Sequence, residues 1–246
     1  FTVLLAAFAL PAATAEPLTL AVASNFGVPA RGLATQFHDR SGHDVRIAAG
    51  STGKLYAQII NGAPFDIFLA ADADRPRLLE ESGHGVKGSR FTYAIGSLVL
   101  WSRDPALADA DCRNALKDLG KRKLAIANPQ TAPYGAAAKA FLQSAGIWHD
   151  VQTQLVYGEN IAQTLQFAAT GNASLGLIAR SHTVADGLPE ATCYWSVPAS
   201  SHRPLEQQAV LLQRAEHNAA AKAFMRFLSD KEARDVIVSS GYAVTP

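Results

Sequence analysis

Nowhere does the 246-residue sequence hold an apolar run of the roughly 20 residues that a bilayer-spanning helix needs, so no such helix is expected. Charge is also sparse. Asp, Glu, Lys and Arg make up 17% of residues, the net charge is +1, and there is no basic run or arginine-rich stripe. Nucleic acid and anionic membrane surfaces are therefore poor partners. Cysteine occurs only at Cys112 and Cys193. An even pair suits an oxidising compartment, and closing so long a loop would stabilise the fold by about 4 kcal/mol. Two free buried thiols fit the sequence equally well. The seven histidines show no metal-ligand spacing such as His-x-x-x-His, and no Gly-x-Ser-x-Gly elbow is present. No metal, cofactor or catalytic residue is expected, and a secreted hydrolase would rest only on scattered Ser, His and Asp.

The first ten residues are apolar, Pro11 interrupts them, and Ala13-Thr14-Ala15 precedes Glu16. This reads as part of a cleaved export signal, with the mature protein beginning near residue 16. Beyond it, short apolar runs alternate with helical patterns. Strands are expected at 18–23, 45–49, 66–71, 93–101, 123–127, 154–157, 175–178 and 207–212. Helices are expected at 28–38, 54–60, 136–145, 161–169, 219–228 and 231–239. Such alternation specifies an α/β protein built on mainly parallel sheets flanked by helices. The long apolar strands 93–101 and 207–212 bracket a complete second block. One lobe is thus expected from residues 16–93 plus 207–246, with a second, 94–206, inserted into it.

Four strand-to-helix junctions share one chemistry. Gly50-Ser51-Thr52-Gly53 separates the second strand from its helix, an arrangement that points backbone N–H groups and small hydroxyls from a helix N-terminus toward an anion. It is not a nucleotide P-loop, because Ala48 stands where the first glycine is needed and Leu55 follows Lys54. Ser51-Thr52-Gly53-Lys54 also fits Ser-x-x-Lys, but the companion motifs of penicillin-binding enzymes are missing. Taken alone, this loop reads as a helix cap at Thr52. However, Ser24-Asn25 ends the first strand, Asn128 to Gly135 ends the strand at 123–127, and Glu159-Asn160-Ile161 opens another helix. In open α/β sheets ligands bind beyond the carboxyl ends of the strands, so four such junctions can form one cleft. Their donors are neutral, which suits a fully ionised oxyanion; no acidic residue lies inside Gly50–Gly53 or Asn128–Gly135, where a protonated oxyanion would need an acceptor. Asp66 and Asp72 read as a sheet-packing residue and a helix cap.

Ala23-Ser24-Asn25-Phe26, the segment Gly50 to Ile60, the segment Asn61 to Asp72, Phe91 to Gly96, Ala132-Pro133-Tyr134-Gly135 and Ser240-Gly241-Tyr242 together resemble the periplasmic molybdate-binding proteins of ABC transporters, the ModA family. The resemblance runs in order along the whole mature chain. It implies a two-lobed periplasmic binding protein of type II that closes on molybdate or tungstate and delivers it to a membrane ABC permease; a monomeric state is expected. It also implies roles for individual residues: Ser24, Ser51 and Thr52 as hydroxyl or N–H donors, Tyr134 and Ile161 as backbone N–H donors, with Asn160 beside the last. Some members place a tyrosine hydroxyl on the anion where this sequence has Ala179, and by resemblance to a subgroup Asn25 takes its place. Sulfate, phosphate or another small anion stays open as the alternative ligand, and a regulator's sensing domain is disfavoured because no helix-turn-helix segment is present.

Overall fold

A computed structural model describes residues 16–108, 111–185 and 187–245; the expected export signal, 1–15, lies outside them. The first elements are β1 (Leu18–Ala23), α1 (Gly27–Ser41), β2 (Val45–Gly50), α2 (Thr52–Ile60), β3 (Ile67–Leu69), α3 (Asp74–Glu81) and β4 (Phe91–Gly96). The middle of the chain forms β5 (Leu98–Ser102), α4 (Cys112–Lys117), β6 (Leu124–Ala127), α5 (Pro133–Ser144), α6 (Trp148–Val151), β7 (Leu155–Gly158), α7 (Ile161–Ala169), β8 (Leu175–Ala179), α8 (Arg180–Thr183) and β9 (Cys193–Ser196). The end returns through β10 (Leu205–Leu211) to α9 (Ala219–Phe227) and α10 (Lys231–Ser239).

Two five-stranded sheets result, ordered β2-β1-β3-β10-β4 and β7-β6-β8-β5-β9. The layouts are the same. In each sheet four strands share a direction, and one, β10 in the first and β5 in the second, runs against its two neighbours. The parallel strands carry the α/β units, so their carboxyl ends and the following helix N-termini all lie at one edge of each sheet. Strands β5 and β8 are buried along their whole length, as central strands covered on both faces must be.

The chain changes sheets between β4 and β5 and again before β10. The apolar run at 93–101 is therefore two strands, broken at Ser97. Hydropathy cannot see this break, because both strands are buried; its local mark is Gly96, where a Cβ would overlap the Tyr134 hydroxyl. The second sheet change precedes Leu205, slightly earlier than the pattern suggests. Helix α3 was not legible as an apolar stripe, since only Pro76 and Leu79 are buried in it, yet Asp72 does cap it through Arg75 N–H at 3.1 Å.

Each block has its own core. Around the first sheet Leu20, Phe26, Leu33, Phe37, Phe224 and Ile237 pack together, with Phe37 edge-on to Phe224 at 5.1 Å. Helix α1 delivers Ala30, Leu33 and Phe37 from one face, and it stops at Gly42, whose φ of 69° lets its N–H return to the His38 carbonyl. Each such buried large side chain contributes roughly 1.5–3 kcal/mol. Asp66 is buried in the first sheet and accepts from Thr19 N–H at 2.8 Å and from Arg214 at 3.0 Å, which is the sheet-packing role expected of it.

In the second block a disulfide joins Cys112, at the start of α4, to Cys193, at the start of β9, with Cα atoms 5.6 Å apart and a sequence separation of 81. The bond holds an otherwise short helix against the edge strand. Replacing both cysteines with serine is expected to lower unfolding free energy by about 2–4 kcal/mol, mainly through the freed unfolded chain. Denaturation followed with and without reductant measures this; an unchanged midpoint would assign the stability of this edge to packing alone.

Candidate functional site

Three helix N-termini and one tight turn meet where the two sheets face each other. From the first block come Ala23, Ser24 and Asn25 at the end of β1, Gly50, Ser51 and Thr52 at the end of β2, and Ala71 after β3. The second block supplies Ala132, Pro133 and Tyr134 at the start of α5, and Ile161 at the start of α7. Together they line a cavity of about 10 Å³, roughly the space one water-sized group takes up. Organic ligands generally occupy pockets of about 300–1,000 Å³, so this one has no room for them.

The hydrogen bonding around the cavity is unusual in what it leaves unmade. Ser51 stands at the N-cap of α2, yet its side chain makes no capping bond, and its buried Oγ has no partner. Thr52 Oγ1 accepts from Ala71 N–H at 3.1 Å, which leaves its own proton free to donate. The helix-cap reading of this loop therefore fails. At α5 the N-cap Ala132 has no side-chain oxygen to offer and Pro133 has no N–H, so the first available amide is that of Tyr134. At α7 Asn160 accepts from Ala162 N–H at 3.0 Å and Gln163 N–H at 3.1 Å, leaving the Ile161 amide outside the cap. Donors left free at helix N-termini, where the helix dipole is positive, suit an anion. Among the described residues, those lining the cavity carry no charge.

Two side chains expected at the ligand are engaged elsewhere. Asn160 is the cap of α7 and does not line the cavity. Asn25 does line it, but its amide donates to Gln207 Oε1 at 2.8 Å and Tyr242 Oη at 2.9 Å, so both amide protons are spent inside the protein. The side chain of Asn25 is thus not a free donor in place of the tyrosine absent at Ala179, although Ser24 and Asn25 both line the cavity. The Tyr134 ring is buried, with its hydroxyl on Gln207 Nε2 at 3.2 Å. Gln207, Tyr93, Ser181 and Tyr242, which form this network, carried no signal as a set in the sequence, because each meets its partners across 61 to 217 residues or through a distant strand.

The two blocks are in contact around the cavity. Gly53 N–H donates to the Thr131 carbonyl at 2.8 Å, and Lys54 pairs with Glu159 at 2.7 Å. Glu159 is the one carboxylate flanking the four loops, and Lys54 neutralises it, though both side chains are about half exposed and such pairs contribute no more than about 1 kcal/mol. A larger cavity of about 310 Å³ lies nearby, lined by Asp72, Asp74, Arg75, Arg203 and Glu206 among others. Its carboxylates make it a poor place for an anion, and burial raises the Asp72 carboxyl above its ordinary range despite Arg75 beside it. Most histidines lie in loops or at the surface, but His182 is buried against the Ser24 turn, and desolvation lowers it to about 4.

A family profile described as bacterial extracellular solute-binding protein matches residues 18–243. The chain is 46% identical to the molybdate-binding protein ModA of Azotobacter vinelandii over 95% of its own length and 92% of the relative's. It is 44% identical to the ModA of Rhodobacter capsulatus, over 95% of this chain and 90% of that one. Among solved structures, the periplasmic molybdate-binding protein of Azotobacter vinelandii superposes with a TM-score of 0.87 at 37% identity, covering 93% of this chain and all of the other.

Two expectations follow from the site's geometry. A Cβ on Gly53 would lie 2.8 Å from the Thr131 carbonyl oxygen across the cleft, so Gly53→Ala is expected to hold the two blocks apart. A larger radius of gyration in small-angle scattering, with thermal stability unchanged, is the expected result; identical scattering would show that the contact yields. For His182, a folded-state value of about 4 against 6.5 unfolded means that the unfolded chain takes up a proton first as the pH falls. Stability should then decline between pH 6.5 and about 4, by up to about 1.4 kcal/mol per unit of displacement, and His182→Gln should flatten that decline in urea titrations.

Proposed function

The chain belongs to the bacterial extracellular solute-binding proteins and, within them, to the molybdate-binding ModA proteins, and from that premise we propose that it captures molybdate or tungstate in the cavity between its sheets and presents it to an ABC permease. The single observation that carries the ligand assignment is the buried Ser51 hydroxyl without a partner, beside the donor-ready Thr52 hydroxyl. An unpaired buried hydroxyl costs about 1–3 kcal/mol, a cost that an oxyanion accepting from it removes. The neutral lining favours an anion with no proton left to give, which molybdate and tungstate are at neutral pH and hydrogen phosphate is not.

In this reading Ser24, Ser51 and Thr52 hold the anion from one lobe, with hydroxyls or backbone amides, while the Tyr134 and Ile161 amides hold it from the other. Asn25 contributes through its backbone and Asn160 by capping the helix that presents Ile161. The lobes are residues 16–96 with 205–246, and 98–204 between them, hinged at Ser97 and just before Leu205. Binding favours the closed arrangement by the difference in affinity between the two states, because the second set of donors reaches the anion only on closure. The protein carries no catalytic role, works as a monomer in the periplasm and reaches it by an export signal that is then cleaved.

Calorimetric titration of metal-depleted protein with molybdate, repeated in excess sulfate and then phosphate, tests the assignment. One-to-one binding that survives both competitors is expected. Thr52→Ala and Ser51→Ala should each weaken it by about 1.5–3 kcal/mol, roughly 10- to 150-fold, with the apo fold intact. Full affinity in both variants would remove these hydroxyls from the site, and binding of sulfate in place of molybdate would leave the cleft but change its ligand.

A further inference from the structure

Gln207 lies wholly buried on β10, at an irregularity in the pairing of β10 with β4, and does not line the anion cavity. Its two amide atoms reach both sides of the cleft. Oε1 accepts from Asn25 Nδ2 at 2.8 Å, and Tyr93 Oη lies 3.2 Å from it. Nε2 donates to Tyr134 Oη at 3.2 Å. Asn25 sits on the turn after β1 and Tyr134 in the first turn of α5, so one side chain ties a ligand-facing turn of the first block to a ligand-facing helix terminus of the second.

The fit around this link is close. Gly96, the last residue before the first crossover, has no side chain, and a Cβ there would overlap Tyr134 Oη and approach Gln207 Nε2 to 2.7 Å. The Tyr134 phenol therefore fills a hole beside the crossover while its backbone faces the cavity. On the far side, Tyr242 Oη is 2.8 Å from the Asn25 carbonyl and 3.0 Å from Ser181 Oγ, so the Asn25 turn is held from α8 as well. Burial keeps the phenols of Tyr93, Tyr134 and Tyr242 protonated, so the network works as neutral hydrogen bonds.

We propose that Gln207 is the positioning residue of the anion site: it holds the Asn25 turn and the Tyr134 helix terminus in register across the cleft, so that affinity depends on a side chain that never touches the ligand. The proposal rests on the reading of the cavity as an oxyanion site. Opening the cleft separates Tyr134 from Gln207 and leaves a buried amide and a buried phenol without their shared bond, which biases the free protein toward closure before any anion arrives. The anion then gains donors already aligned, and less of its binding free energy goes into ordering them.

A double-mutant cycle between Gln207→Leu and Tyr134→Phe, read by molybdate titration, tests this. Tyr134→Phe removes only the phenol oxygen and keeps the backbone amide that faces the cavity. Each single variant is expected to lose about tenfold in affinity, and the double variant little more than either; Gln207→Leu, which takes a partner from Asn25 and from two phenols, should also lower the thermal midpoint of the free protein, while Tyr134→Phe leaves it nearer the wild type. Unchanged affinity in the single variants, or losses that simply multiply in the double, would overturn the proposal. If Gln207→Leu fails to fold, Tyr134→Phe paired with Gln207→Met repeats the cycle. Small-angle scattering of the ligand-free proteins supplies the arm that needs no anion: Gln207→Leu and Tyr134→Phe should both be more expanded than the wild type, and equal radii would sink the coupling. Failure of the wild type to bind molybdate, with that expansion present, would discard the ligand reading and leave the positioning role standing.

Discussion

Everything around the cleft follows from one constraint: a helix N-terminus leaves backbone N–H groups without intrahelical acceptors, and in a buried place something must meet them. This protein brings α2, α5 and α7 to one point and then declines to satisfy them locally. Ser51 could cap and does not; Ala132 and Pro133 cannot; Asn160 caps the second and third amides of its helix and spares that of Ile161. The result is a small volume with uncommitted donors on most sides and no charge of its own. An anion is the chemistry that completes it.

The sheets make this convergence possible. Both use the same strand order, and in both the loops that matter follow parallel strands at the carboxyl edge. The reversed strands, β5 and β10, are those that follow a change of sheet, and each sheet keeps a core of its own, with Ala23 and Ala71 of the first block packing into that of the second beside the cavity. Two contact sets bridge the blocks. At the mouth are the Gly53 amide on Thr131 and the half-exposed Lys54–Glu159 pair; underneath are the buried Gln207, Tyr134, Asn25 and Tyr242 bonds. The second set matters more, since exposed ion pairs contribute little and buried polar groups are costly when left alone.

The sequence was legible where the signal is local. Periodicity marks the α/β units, Gly42 and Pro29 mark the bounds of α1, and the Gly50 to Gly53 loop declares itself by composition and place. Ser51, Thr52, Tyr134 and Ile161 do line one cavity, as residues expected at the ends of neighbouring strands can. The illegible part is the long-range part. Asn25 looks like a free donor until Gln207 and Tyr242, some 182 and 217 positions away, take its protons. Asn160 cannot be told from a ligand donor by residue type, since Asn serves both as cap and as donor. The strand break at Ser97 is hidden because burial is continuous across it, and the glycine before it gains its meaning only when the Tyr134 ring is in place.

A neutral donor shell also explains why selectivity should rest on protonation state before size. A positively charged residue in the cavity would attract any anion, protonated or not. Hydroxyls and amides offer no net charge; they reward a ligand only for each accepting lone pair presented in the right place. A ligand that keeps a proton directs a donor at the backbone N–H groups and, with no acidic side chain among the lining residues, has only hydroxyl oxygens to accept it. The cost of that mismatch is the cost of an unmade buried hydrogen bond, about 1–3 kcal/mol, and it recurs for every proton the ligand retains. Discrimination against protonated oxyanions is thereby written into the chemistry of the lining, while discrimination among fully ionised ones falls to the dimensions that the buried Gln207 network holds fixed.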